Sequence, residues 1–215
     1  MGQLPNVLPV LRVRSTILMP RAMLPITMPE SDYLAIASEV LENSIVAVIQ
    51  PRPAFVKGAR NRELIESFKT GCAGKISDIT FADGEVSVSV HGICRFETIS
   101  EMSSDDTAIK RISVSYDKYM VDFEAENEPQ ELDKHRLMDA LSIYFKTLEV
   151  SPNWEEIEQA PVDILVSALA MACPFHPSEK QSLLEMVGIK ERSDMITKII
   201  EMNSFDRYDT ARTVN

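Results

Sequence analysis

The chain has 215 residues, 45% hydrophobic and 26% charged, a composition typical of a globular protein with one large domain or two small ones. Its formal net charge of −11 argues against a phosphate backbone or an anionic membrane surface as the main partner, because both attract Lys and Arg. No apolar run approaches the ~18 residues of a membrane span, and the N-terminus lacks the pattern of a signal peptide.

The first half of the chain predicts strands. A first strand is expected over 7–13. The prolines of the segment 19–29 exclude a helix or a central strand and favour a bent edge strand. A helix is predicted over 32–42, with Ser31 as its N-cap and with one apolar face formed by Leu34, Ala37 and Leu41.

A β-rich region follows this helix. Residues 45–49 form a short apolar run typical of a strand, and 51–69 predict a mobile loop. Asp83-Gly84 predicts a type I′ turn between two strands, with Val86, Val88 and Val90 on one face and Ser87, Ser89 and His91 on the other. Further strands are expected over 93–99 and 109–121, with a polar turn at 102–107.

The second half predicts helices. Apolar residues recur at helical spacing over 137–148, and Pro161 suits the first position of a helix that ends near Met171. Ser178 and Gln181 have the spacing of a capping box, which predicts the start of a helix, and Gly188 suits the position after its C-terminus. A last helix is predicted over 190–202. We therefore predict an α+β protein, with a β-rich lobe over 1–122, an acidic linker over 123–130, a helical lobe over 131–205 and a frayed tail over 206–215.

Motifs for catalysis or cofactor binding are not recognisable. The segment 71–76 resembles a phosphate-binding loop but lacks its first glycine and the hydroxyl residue after the lysine. Serine-hydrolase and zinc-protease motifs are also missing, so we predict no catalytic residues, no cofactor and no enzyme activity.

The cysteines predict structural roles. Three at wide spacing, Cys72, Cys94 and Cys173, suit reduced thiols in a cytoplasmic protein better than a disulfide framework. Cys94 with His91, and Cys173 with His176, could form a zinc site. Burial of the cysteines as small core residues is the stronger interpretation, because the odd spacing puts His91 and Cys94 on opposite faces of a strand. We therefore predict no bound metal.

Several short motifs, taken in order, resemble the N-terminal substrate-binding domain of Lon proteases. No single motif is specific, but their order covers nearly the whole chain. One departure is Arg21, which stands where the family pattern has a glycine after Pro20. The motifs are 8–13, 17–20 and 23–26 at the start, then 71–76, Asp83-Gly84, Gly92-Ile93-Cys94-Arg95-Phe96 and the helix 177–185.

The resemblance implies a fold and a function. The fold would be a PUA-like pseudo-barrel followed by an α-helical lobe. The function would be non-catalytic recognition of unfolded or tagged protein segments, for example as a quality-control adaptor that acts with a protease. The chain resembles most the free-standing LON-domain proteins of bacteria. The alternative is a PUA-like RNA-binding or RNA-processing factor, which the acidic charge and the 7% aromatic content disfavour.

The candidate substrate-binding residues are Met19, Met23, Leu24 and Met28. Met is abundant, at 11 of 215 residues, and flexible thioethers suit surfaces that bind varied partners. We hypothesise that this segment lines a peptide-binding groove; the alternative is that its methionines fill the core. Arg95 is interpreted as a clamp on a loop carbonyl or carboxylate rather than as a ligand contact.

Overall fold

The computed structural model of the protein describes residues 4–39, 44–52, 66–102, 109–124 and 134–213, with the backbone alone for Glu39 and 205–213. Contacts divide the chain into two compact units. The first comprises Met1–Ala125 and His176–Glu185, and the second comprises Glu126–Phe175 and Met186–Asn215. Strands precede helices, as predicted, and the α+β class is confirmed.

The first unit is built on a sheet that closes on itself. Its strands are β1 (Val7–Arg12), β2 (Met23–Pro29), β3 (Ile45–Ile49), β6 (Thr70–Ala82), β7 (Glu85–Met102) and β8 (Arg111–Ser115); β4 (Pro51–Arg52) and β5 (Glu66–Ser67) form a separate two-stranded sheet. The order is β2-β7-β6-β3-β1-β8, and β8 also pairs with β7, so the last five strands form a ring. Only β1 and β3 run parallel. The ring encloses an apolar core formed by Leu8, Val10, Ala47, Ile49, Ala73, Phe96, Ile112 and Val114.

Strand β2 lies outside this ring, at the edge of the sheet, as the prolines predicted. It pairs with the first half of β7 over its whole length. Pro25 and Pro29 have no N–H to offer to a further strand, so they protect this edge against pairing with another chain.

Two glycines fix the path of the chain around β7. The predicted hairpin is confirmed: Asp83 and Gly84 both have positive φ, 50° and 79°, as a type I′ turn requires. Farther along β7, a Cβ on Gly92 would stand 2.0 Å from the carbonyl oxygen of Met19. Only glycine lets the segment before β2 cross β7 this closely.

Other predictions in the first unit were wrong. The first helix, α1, spans Glu30–Glu39, so Ser31 lies inside it rather than at its N-cap. Leu34 and Ala37 are exposed and Ile36 is the buried residue, because the helix packs on β2 and β7 through a different face. The strand predicted over 109–121 ends at Ser115 and gives way to a 3-10 helix over Asp117–Phe123. Leu41 with the predicted end of the first helix, residues 103–107 of the predicted turn and most of the predicted loop at 51–69 lie outside the described residues.

The helix α5 (Pro177–Glu185) belongs to the first unit. Its capping box is not the predicted one. The Glu179 carboxylate accepts from the backbone N–H of His176 at 2.7 Å, so His176 is the N-cap. Gln181 is buried, and its amide donates to the Thr70 carbonyl on β6 at 3.1 Å.

The second unit contains four helices among its described residues: α2 (Lys134–Thr147), α3 (Trp154–Gln159), α4 (Val162–Ala172) and α6 (Ile189–Thr213). The sequence analysis missed α3, and Pro161 is the N-cap of α4 rather than its first residue. Gly188 precedes α6 instead of ending α5. The predicted last helix is confirmed, and Ile196, Ile199 and Ile200 on its inner face are buried, whereas Met195 is half-buried.

The predicted domain boundaries stay a prediction, and so does fraying of the tail beyond Phe205, where the α6 backbone continues to Thr213. Among the residues that the structure describes, no helix is both long and apolar enough to cross a bilayer.

Candidate functional site

The predicted binding segment is mostly buried. Met19 is fully buried, Leu24 and Met28 are each 8% exposed, and Met23 alone is open to solvent, at 52%. Leu24 and Met28 lie four residues apart on one face of β2, opposite Val90 and Val86, whereas Met23 lies on the other face. The structure therefore leaves one of the four side chains accessible, and a groove formed by all of them stays a prediction.

A second exposed apolar surface begins at a β-bulge in β7. Thr98 pairs with Val114 and Ser100 pairs with Ser113, so Ile99 is an extra residue with no partner in the ladder. A bulge of this kind redirects a side chain out of the regular alternation, and bulges are over-represented beside functional sites. The Ile99 side chain is 67% exposed, a large fraction for a β-branched apolar residue.

The 3-10 helix adds the rest of this surface. Tyr119 has non-helical backbone angles, φ −117° and ψ 23°, so the helix kinks there. Tyr119 itself is fully buried, whereas Met120, Val121 and Phe123 are 53%, 41% and 37% exposed. A short helix that buries so few apolar side chains must be held to the rest of the fold by other contacts, and two contacts of this kind are present.

The first anchor is an ion pair between Arg95 and Asp122. The side chains are 2% and 6% exposed. The Arg95 Nη2 and Nε atoms donate to the two oxygens of Asp122 at 2.6 and 3.0 Å, and the Arg95 backbone N–H donates to the same carboxylate at 2.9 Å. Arg95 Nη1 donates to the Leu184 carbonyl of α5 at 3.1 Å. Arg95 is thus a clamp on a carboxylate and a carbonyl, as predicted, but nothing in the sequence indicated that Asp122, the last residue before the predicted acidic linker, is its buried partner.

The second anchor is the Tyr119 side chain. Its ring lies under the Arg95 guanidinium, 4.5 Å from the ring centre, a distance at which a cation is attracted to the aromatic face. Its hydroxyl lies 3.3 Å from the Thr70 hydroxyl on β6 and 3.5 Å from the Glu185 carbonyl. The 3-10 helix is therefore fixed to the sheet and to α5 from its buried side, which leaves its apolar residues on the outer side.

Together these residues form an open cleft of about 500 Å³, which we call the apolar cleft. A volume of this size accommodates one or two bulky side chains of a bound segment. Its lining consists of Leu4, Asn6, Ile99, Val114, Ser115, Tyr116, Asp117, Met120 and Phe123.

The polar groups of the cleft are few. The Tyr116 hydroxyl donates to the Pro5 carbonyl at 2.8 Å, and burial raises the pKa of this phenol above its ordinary value, so that it stays neutral. Asp117 is exposed, and its carboxylate accepts a hydrogen bond from the Ser115 hydroxyl at 2.9 Å. The next residue, Lys118, pairs with Glu97 at 3.2 Å. An apolar surface with one carboxylate can bind apolar side chains.

The cysteine positions suit the structural role that the sequence predicted. Cys72, Cys94 and Cys173 are buried free thiols. Burial raises the pKa of the Cys94 thiol to about 12, with a further contribution from the nearby Asp122 carboxylate, and the same two causes raise the pKa of Cys72. His91 is exposed, with its Nε2 atom 3.9 Å from Asp78. Among the described residues, no group of three or more His, Cys, Asp or Glu is placed to hold a metal ion.

Sequence reasoning missed the residues of the apolar cleft. Ile99 and Met120 fell in segments predicted as strands, where alternation does not reveal a bulge or a switch to a 3-10 helix. The one available signal was the charged residues around Met120: Asp117, Lys118 and Asp122 interrupt the alternation of apolar and polar residues that a strand would show.

Comparison with known proteins agrees with the fold. The sequence is 22% identical to the Lon protease of Desulfosudis oleivorans and 26% identical to that of Wolbachia pipientis, over 91% of this chain in each case. It spans about a quarter of the length of these relatives, 24% and 25%.

Two solved structures are similar. One is the crystal structure of a Lon N-terminal domain protein from Xanthomonas campestris, with a TM-score of 0.60 and 16% identity over 89% of this chain and 97% of that one. The other is the N-terminal domain of the Mycobacterium avium complex Lon protease, with a TM-score of 0.62 and 19% identity over 91% of this chain and 98% of that one. The sequence model of the ATP-dependent protease La (LON) substrate-binding domain matches residues 7–202. The chain therefore belongs to the LON substrate-binding domain family.

Proposed function

We propose that this chain is a non-catalytic module that binds exposed apolar segments of unfolded or tagged proteins, and that the apolar cleft is its contact surface. The observation that carries the proposal is the group of solvent-exposed apolar side chains, Ile99, Met120 and Phe123, held around one cleft by a buried ion pair. Membership of a substrate-binding domain family supports the same function.

The chemistry of the cleft suits weak and varied binding. Burying one bulky apolar side chain contributes about 1.5–3 kcal/mol, so a segment with two such anchors gains about 3–6 kcal/mol and reaches a dissociation constant no tighter than the high micromolar to millimolar range. Met120 is unbranched and flexible and can adapt to different partners. A site of this kind distinguishes unfolded chains from folded ones because only unfolded chains expose many apolar side chains.

The predicted β2 segment is the competing location. Met23 is as exposed as Met120, 52% against 53%. The edge prolines make strand addition there unfavourable, so a partner would have to bind through side chains. We favour the apolar cleft because Met23 is the only accessible member of the predicted set, whereas several exposed apolar side chains meet at the cleft.

The biological role follows from the relatives by analogy. They are Lon proteases, and this chain matches the substrate-binding domain of that family. We propose an adaptor that presents unfolded proteins to a protease in the cytoplasm, where the three thiols would stay reduced.

The test compares three methionines of similar exposure: Met120→Asp in the cleft, Met23→Asp on β2 and Met202→Asp on α6. Each purified variant, checked for folding by circular dichroism, is titrated with a reduced unfolded model protein, with the native form of that protein and with RNA as controls. We expect selective binding of the unfolded form, lost in Met120→Asp and kept in the other two. Loss in Met23→Asp alone would locate the site on β2. Absence of binding to the unfolded form, or salt-resistant RNA binding, would refute the proposal.

A further inference from the structure

We propose that the apolar cleft prefers segments in which a bulky apolar residue lies next to a Lys or Arg. This inference rests on the proposed function and specifies the class of segment that the site binds. The basic neighbour would pair with the Asp117 carboxylate while the apolar side chain contacts Ile99, Met120 and Phe123.

The charge of the lining is the first argument. Among the described residues that line the cleft, Asp117 carries the only carboxylate, and no Lys or Arg side chain lines it. Ser115 donates to the Oδ2 atom of Asp117 and stabilises its carboxylate without neutralising it. A basic group on the ligand would supply the missing opposite charge.

The surroundings of the cleft do not cancel this charge. Lys118 pairs with Glu97 at 3.2 Å, and Lys110 lies 3.7 Å from Glu101. At the other end of the 3-10 helix, Glu124 is exposed and adds a second negative charge. With a net charge of −11, the whole chain also attracts basic segments and repels acidic ones.

The position of Asp117 is the second argument. It lies at the start of the 3-10 helix, three residues before Met120, and both residues line the cleft. Adjacent side chains of an extended segment point to opposite sides, so a long, flexible Lys or Arg is needed to reach back to the rim while its neighbour occupies the cleft. This geometry favours Lys and Arg over a short polar residue.

The test uses three fluorescein-labelled Gly-Ser peptides that each carry two copies of one pair and differ only in that pair: Phe-Lys, Phe-Ser or Phe-Glu. Affinity is measured by fluorescence anisotropy at about 50 mM and about 500 mM NaCl, across which surface electrostatics are progressively screened. We expect the Phe-Lys peptide to bind about two- to fivefold more tightly than the Phe-Ser peptide at low salt, and the Phe-Glu peptide to bind more weakly than either, as for exposed ion pairs. At high salt the three affinities should converge.

Asp117→Asn is the variant that assigns the preference, and Asp78→Asn is its control. Asp78 is also exposed, and it lies near His91 on β7. His91 is six residues before Glu97 on this strand, so Asp78 lies roughly 20 Å along the strand from the side of the sheet where the cleft is. The ratio of Phe-Lys to Phe-Ser affinity should fall to about one in Asp117→Asn and stay at the wild-type value in Asp78→Asn. Because the ratio is measured on one protein sample, a partial loss of folded protein does not change it.

The outcomes separate the two proposals. Binding of all three peptides with equal affinity would overturn the basic preference and leave the proposed function intact. A preference that persists in Asp117→Asn would refute the assignment to this carboxylate. Binding of none of the peptides would overturn the proposed function and the preference together.

Discussion

Replacing Asp122 by Ala should destabilise the first unit strongly. The substitution removes the carboxylate that accepts from three donors of Arg95 and leaves the guanidinium charge in a site that is 2% exposed. The Leu184 carbonyl and the Tyr119 ring are among the partners that remain, but neither carries a negative charge. Removing one partner of a buried ion pair costs about 3–5 kcal/mol, because the other charge stays buried without compensation.

This loss is a large part of the ~5–15 kcal/mol that stabilises a typical domain. With an m-value of ~2–3 kcal/mol/M, the urea midpoint should fall by roughly 1–2 M when unfolding is followed by circular dichroism. Hydrogen exchange of the Arg95 amide should accelerate as well, because that amide loses its acceptor.

Asp117→Ala is the matched control, since it removes the same kind of side chain from the same short helix. Asp117 is exposed and its carboxylate interacts with Ser115 alone among the described residues, so the expected loss is below about 1 kcal/mol. If Asp122→Ala and Asp117→Ala have equal urea midpoints, the account of Arg95 as the anchor of the 3-10 helix is wrong. Should the double variant Arg95→Met with Asp122→Leu be less stable than Asp122→Ala, the cost would not come from the uncompensated charge.

Three further predictions concern the turn, the crossing and the thiols. Arg21 has φ 61°, so Arg21→Gly should be about 1 kcal/mol more stable to urea than Arg21→Ala, which removes the same side chain without relieving the left-handed conformation; equal stabilities would argue against backbone strain. Gly92→Ala should cost about 3 kcal/mol or more, since the new methyl group meets the Met19 carbonyl, and a wild-type midpoint would contradict the close crossing. The pKa of Cys94 is raised to about 12 in the folded chain, against about 8.5 in the unfolded chain, so the unfolded chain loses the thiol proton first as pH rises. The free energy of unfolding should therefore fall between these two pH values, by up to about 1.4 kcal/mol per pH unit. That alkaline loss should be smaller in Cys94→Ala, and Ellman's reagent at pH ~8 should label three thiols only after unfolding; rapid labelling of the native chain would show that the thiols are accessible.

The sequence predicted those parts of the fold that local patterns determine. Alternation and the Asp83-Gly84 turn located the hairpin, and the prolines of β2 indicated an edge strand. The motif order indicated the family, and Gly92 in the quoted motif is explained by the crossing of the chain at Met19. The glycine that the family pattern has at position 21 is explained too, because Arg21 has positive φ in a turn closed by a hydrogen bond from Ala22 N–H to the Met19 carbonyl at 3.2 Å.

The remaining errors arose where tertiary contacts override local patterns. Asp122 stands next to the predicted acidic linker, where an exposed carboxylate is expected, and its contact with Arg95, 27 residues away, accounts for its burial. Ser178 and Gln181 fit a capping box, but Gln181 bonds to Thr70 on β6 while His176 and Glu179 form the cap. The contact between Gln181 and Thr70 depends on how α5 packs against the sheet, which no spacing along the chain encodes.

The candidate site was the least predictable part for the same reason. Exposure of an apolar residue is a property of the folded surface, and the sequence distinguishes neither Met120 from Met28 nor Ile99 from Ile112. The abundance of methionine suggested a binding surface, but which methionines lie on it depends on the bulge in β7 and on the anchored 3-10 helix.

The most direct test of the central claim is a methyl NMR titration with ¹³C-labelled methionine, because the chain carries 11 natural probes. After assignment by single substitutions, an unfolded model protein is added to the native chain. The account predicts that the Met120 methyl signal shifts or broadens while those of Met23 and Met202, which are similarly exposed, stay in place. Perturbation of Met23 without Met120, or no perturbation of any methionine under conditions where binding occurs, would contradict it.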